Sequence, residues 1–82
     1  MITWKREVVQ EIDFSYSVYT CETENKRAEI RCLDGGTGSK KYGADLLLEK
    51  KISKKKWETI VDREWFQLYT QARKAADEWL SE

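Results

Sequence analysis

The chain contains no histidine and no proline, only two cysteines and four glycines. Without histidine it lacks the side chain whose ordinary pKa lies nearest neutrality. Histidine-paired serine or cysteine nucleophiles and the usual general base are therefore excluded. Two cysteines, Cys21 and Cys32, fall short of the four ligands, usually Cys or His, of a structural zinc site. Carboxylate pairs such as Asp62/Glu64 and Asp77/Glu78 stand one or two residues apart. On a helix such neighbours diverge, which makes them solvated surface rather than an acid/base pair. This inventory predicts a non-enzyme with no cofactor and no metal.

Long apolar runs are missing as well. Leu46-Leu47-Leu48 is the longest aliphatic cluster, against the about 18 residues that a membrane helix needs. The first residues, Met1 to Glu7, have no apolar core of the signal-peptide kind, so a cytoplasmic protein without membrane attachment is expected. The two cysteines fit that compartment. In two strands of one hairpin their parity differs, which places them on opposite faces and argues against a bridge.

What is present is a folding composition for one domain: 82 residues, 40% hydrophobic and 12% aromatic, despite 37% charged. Charge cancels overall but not locally. Residues 1–39 carry a net −2, residues 40–56 a net +5 and residues 57–82 a net −3. One short segment therefore holds the positive potential.

Period-two alternation marks the first half. Val8, Ile12, Phe14, Tyr16 and Val18 share one parity while Glu7, Glu11, Asp13, Ser15 and Ser17 share the other, which predicts a strand over about 8–20. Thr23-Glu24-Asn25-Lys26 reads as a turn, followed by a return strand over 27–33. A three-residue loop centred on Asn25 would pair Thr20 with Ile30 and Val18 with Cys32, matching even face to even face. Asp34 to Lys41 reads as an open loop. Its glycines and lysines suggest a phosphate cradle, but the spacing does not match a phosphate-binding loop, so a plain connection is the simpler reading. Tyr42, Ala44, Leu46 and Leu48 share parity and predict a third strand over about 42–49.

The last third reads as a helix over about 54–81. Ser53 stands where an N-cap belongs, and Ile52 and Trp57 have the spacing of a hydrophobic staple. Trp57, Val61, Trp65, Leu68, Ala72, Ala75, Ala76 and Trp79 recur at steps of three and four. A fourth strand over Lys56–Val61, with Asp62 capping a shorter helix, is the competing assignment. The expected architecture is α+β: a three-stranded antiparallel sheet in β-β-β-α order, with one long C-terminal helix across its even-numbered face.

That architecture leaves two apolar groups without a place in the core. Val9, Tyr19, Leu33 and Leu47 fall on the outward, odd-numbered face, and Phe66, Tyr69 and Arg73 on the helix edge. Such clusters point to a small protein-binding module, an adaptor or inhibitor, that docks on another protein or on a second copy as a homodimer. The alternative is nucleic-acid binding through Lys40, Lys41, Lys50, Lys51, Lys54, Lys55 and Lys56, whose density at one junction suits phosphate contacts.

Overall fold

Alternating apolar side chains drive most of this chain into strands, further along it than the pattern in the sequence suggests. The computed structural model describes residues 2–33 and 42–82. In chain order it contains strands β1 (Lys5–Gln10), β2 (Ser15–Glu22), β3 (Lys26–Leu33), β4 (Tyr42–Ser53) and β5 (Lys56–Leu68), then one helix, α1 (Tyr69–Leu80). The sheet is antiparallel and its order is that of the sequence, β1-β2-β3-β4-β5. The expected three-stranded sheet with a helix over 54–81 is therefore wrong. The long alternating stretch 8–20 divides into two strands around a turn, where the amide of Glu11 donates to the carbonyl of Phe14 at 2.8 Å. About the first half of the expected helix is the fifth strand.

Ser53 is no helix cap. It pairs with Lys56 and closes a hairpin over Lys54–Lys55. Strand β5 looks helical in sequence because its pairing with β4 shifts at three places, between Leu46 and Leu48, between Leu48 and Glu49, and between Lys51 and Ser53. The first two shifts leave an extra residue on β5. Its positions on the covered face then run 61, 64, 66 and 68, and a step of three replaces strict alternation. The bulge at Asp62–Arg63 holds Arg63 at φ 55°, a left-handed conformation costly for a residue with a Cβ.

The hairpin joining β2 to β3 differs from expectation by a single residue, with large effect. Glu22 pairs with Arg27, and the amide of Thr23 donates to the carbonyl of Lys26 at 2.7 Å, so the loop holds two residues rather than three. The hydroxyl of Thr23 also accepts from the amide of Lys26 at 3.2 Å, fixing the turn without glycine. In this register Tyr19 lies opposite Ile30, Cys21 opposite Ala28 and Ser17 opposite Cys32. A one-residue slip exchanges the faces of a strand, so the odd side of β2 is buried and Tyr16 and Val18 look outward. Both cysteines consequently share the covered face. They stay unbridged because four pairing rows separate them.

Helix α1 lies over β3, β4 and β5. Its buried residues are Ala72, Ala76 and Leu80, and the sheet beneath contributes Tyr19, Cys21, Ala28, Ile30, Cys32, Ala44, Leu46 and Leu48. Small side chains on both surfaces let backbone approach backbone, and burial of Ile30, Leu46, Leu48 and Leu80 supplies on the order of 1.5–3 kcal/mol each. The helix starts without a side-chain oxygen at its cap. Instead Gln71 reaches back to accept from the amide of Leu68 at 3.2 Å. Its far end is capped from outside: Lys26 Nζ donates to the carbonyls of Trp79 (2.8 Å) and Glu82 (3.0 Å), a cation where the helix dipole is negative. The N-terminal segment adds a clip, as the Trp4 indole N–H donates to Asp77 Oδ1 at 2.8 Å and the Arg73 guanidinium lies 4.6 Å from the Trp4 ring.

Candidate functional site

The helix covers one face of the sheet and leaves the other open. Register places the side chains of that open face in rows running across the strands. One row reads Glu7, Val18, Arg31, Asp45, Trp65; the next reads Lys5, Thr20, Glu29, Leu47; a third reads Glu22, Arg27, Glu49, Thr59. Opposite charges face one another along these rows, and several are paired. Arg27 Nε stands 2.6 Å from Glu49 Oε1, and Arg63 Nη2 stands 2.6 Å from Glu29 Oε2, with Arg31 Nε 3.4 Å from the same oxygen. The hydrogen bond that Arg27 donates to Glu49 raises the guanidinium pKa above its ordinary value. These pairs are partly exposed, so each stabilises little, and their main effect is to hold the guanidinium groups in register.

Bulge geometry accounts for Arg63. Its re-aimed side chain crosses over β4 to reach Glu29 on β3. The contact is an ion pair, and Glu29 Oε2 has no hydrogen-bonding partner. Two further enclosed polar atoms on this face also lack one, Asp45 Oδ1 and Arg63 Nη1. Enclosed polar atoms are normally satisfied. Strain and unmet polar atoms therefore coincide around Leu47.

The face is not flat. A hollow of about 480 Å³ is lined by Glu11, Phe14, Tyr16, Arg31, Asp45 and Trp65, among others. Phe14 and Tyr16 stack with centroids 6.2 Å apart. Trp65 is 66% exposed and Phe14 51%, although aromatics of this size are usually the first side chains to be buried. Gly43, at φ 71°, lies against the Trp65 indole, and its lack of a Cβ suits that left-handed conformation. A second, more polar hollow of about 530 Å³ lies between Lys5, Thr20, Glu22, Arg27, Glu29 and Glu49.

The residues expected to bind a partner scatter. Val9 and Leu47 stand half-buried on the open face, and Leu33 is placed there by backbone register alone. Tyr19 lies on the covered face, buried against the ring of Tyr69 at 4.4 Å. The expected helix edge does not exist. Phe66 belongs to β5 and packs against the core, as does Tyr69, while Arg73 is engaged by Tyr69 Oη (2.9 Å), Asp77 and Trp4. Slipped register and the extended β5 explain both displacements.

Of the lysines, Lys40, Lys41 and the Gly35–Ser39 loop lie outside the described residues. Lys50, Lys51, Lys54, Lys55 and Lys56 gather at one end of the sheet, where β3 adds Lys26 opposite Lys50 and Arg27 4.2 Å above the Trp57 ring. Sequence reasoning missed the aromatic hollow because Phe14 and Tyr16 carry the alternation, and Trp65 the helical spacing, expected of a core. The one available signal was the β-forming content of Thr59, Ile60, Val61, Trp65 and Phe66 in the supposed helix.

Among its described residues the open face offers cations, carboxylates and aromatic surface but no nucleophile paired with a base. Among the described residues, no group of three Cys, Asp or Glu side chains is arranged to hold a metal ion. Among the described residues, no helix is long and apolar enough to cross a membrane. Comparison with protein-family models, curated proteins and solved structures finds no match to this chain.

Proposed function

We propose that the chain is a small non-catalytic module that docks on another protein through the open face of its sheet. Trp65, Phe14 and Tyr16 are the anchors, with Arg31 and Asp45 orienting the partner. The observation that carries this reading is the 66% exposure of Trp65 on a strand facing away from the core, beside an aromatic stack and a hollow. Rigid aromatics and arginine bury much area at little entropic cost, which is why they dominate binding energy at protein interfaces. Interleaved charges around them set orientation more than affinity.

The test is capture of a binding protein from cells that express the chain, with the wild type and Trp65→Ala in parallel. A protein held by the wild type and lost by the variant, at an unchanged melting temperature, is the expected result. Equal retention by both, or capture of nothing, would refute the reading.

One observation favours a second reading, nucleic-acid binding: the hairpin over residues 54–55 gathers Lys50, Lys51, Lys54, Lys55 and Lys56 at one end of the sheet. Phosphate contacts there would make affinity fall steeply between low and physiological salt. Absence of binding to generic DNA and RNA even at low salt would remove it.

A further inference from the structure

The sheet has two borders, and they are built differently. Strand β5 is interrupted by bulges and runs on into the helix, which spoils it as a template. Strand β1 pairs with β2 without a single shift and, among the described residues, has no other neighbour in the sheet. It therefore presents a regular row of backbone donors and acceptors. Apolar exposure gathers beside that row: Val8 is 52% exposed, Ile12 98% and Phe14 51%.

Charge on β1 decides what can pair with it. Two copies joined antiparallel at this border are related by an axis normal to the sheet, so facing residues share parity and each register is centred on one residue that meets itself. Centring on Lys5, Arg6 or Glu7 sets like charges face to face, which is unfavourable. Centring on Val9 sets Glu7 against Glu11. Centring on Gln10 leaves most of β1 unpaired. Centring on Val8 sets Val8 against Val8, Glu7 against Val9, Arg6 against Gln10 and Lys5 against Glu11. No like charges then meet, and the half-exposed Val8 is covered. Arg6 raises no obstacle, because its guanidinium is turned back onto Ser17 Oγ at 3.1–3.2 Å.

We propose that a second copy of this chain occupies the β1 border, paired about Val8, so that two five-stranded sheets continue into one. Both helices then lie on the same side, and the two open faces form a single surface that presents the aromatic hollow twice. This goes beyond the docking role and does not depend on it.

Sedimentation velocity from about 1 to about 500 µM, a range that brackets weak and moderate association, reads the assembly. The wild type should move from monomer to dimer. Val8→Lys and Val8→Glu should each remain monomeric with a melting curve little changed, because residue 8 is already half exposed in the single chain. Mixed in equal amounts, the two variants should associate at least roughly tenfold more tightly than either alone, since only on the two-fold axis does residue 8 meet residue 8. Trp65→Ala should dimerise like the wild type. The proposal is overturned by a wild type that stays monomeric throughout, by a Val8→Lys variant that dimerises as well as the wild type, by a mixture no tighter than its components, or by a dimer that needs Trp65 instead of Val8.

Discussion

At the scale of single residues, burial rather than residue type sets the cost of change. Leu46 is sealed within the core and Trp65 stands in solvent, so chemical denaturation should show Leu46→Ala costing about 2–5 kcal/mol and Trp65→Ala under about 1 kcal/mol. Equal losses would mean that the open face is part of the core. Arg63 offers a backbone counterpart. Glycine there removes a left-handed penalty of about 1–2 kcal/mol while giving up the partly exposed pair with Glu29, so Arg63→Gly should leave stability within about 1 kcal/mol of wild type. Arg63→Val loses the same pair and places a β-branched residue at positive φ; it should melt well below the glycine variant. Burial pushes the Cys21 thiol above its ordinary pKa of 9.0. The folded chain thus keeps a proton that the unfolded chain releases, and stability should be constant below the ordinary thiol range and decline as pH rises through it. A pH series of melting curves, compared with Cys21→Ala, reads this directly. These residue-level roles were poorly legible in the sequence, where Trp65 and Phe14 look like core and Arg63 like any surface arginine. Exposure depends on which face is covered, and no single residue carries that information.

At the scale of elements, α1 is held at both ends by residues distant in sequence. Lys26 supplies the C-terminal cation that the last turn of the helix itself lacks. Lys26→Ala should cost about 1 kcal/mol and speed amide exchange selectively in the final turn of α1; uniform acceleration along the helix would contradict this capping role. Alternation in β2, β3 and β4 and the apolar stripe of α1 were readable from the sequence, since periods of two and 3.6 survive in those segments. Strand β5 was not. Its bulges destroy the period-two signature while leaving apolar residues three and four apart, so a strand of 13 residues imitates a helix. The β2–β3 turn shows the other limit. Closure over Glu24–Asn25 differs by one residue from closure over three, and that single step exchanged every inward side chain of β2 for an outward one.

For the whole molecule, the sheet, the helix and the N-terminal segment share one core, which Trp4 and Ile2 help to cover. Unfolding should therefore be a single transition, with tryptophan fluorescence and far-ultraviolet dichroism coincident in urea; separated transitions would show the helix leaving the sheet first. Composition by itself determined that the chain carries enough apolar side chains to build a core, that it has no histidine, and that its charges cancel overall while clustering locally. Those properties follow from counts and are indifferent to geometry. Only tertiary structure decided that the described residues form five strands, that Tyr19 faces the helix, and that Phe14, Tyr16 and Trp65 meet at one hollow. The physical reason is that a sheet face is chosen by pairing between segments. Register sums small preferences over whole strands, and a bulge or a turn shifted by one residue reverses the outcome without altering any local propensity.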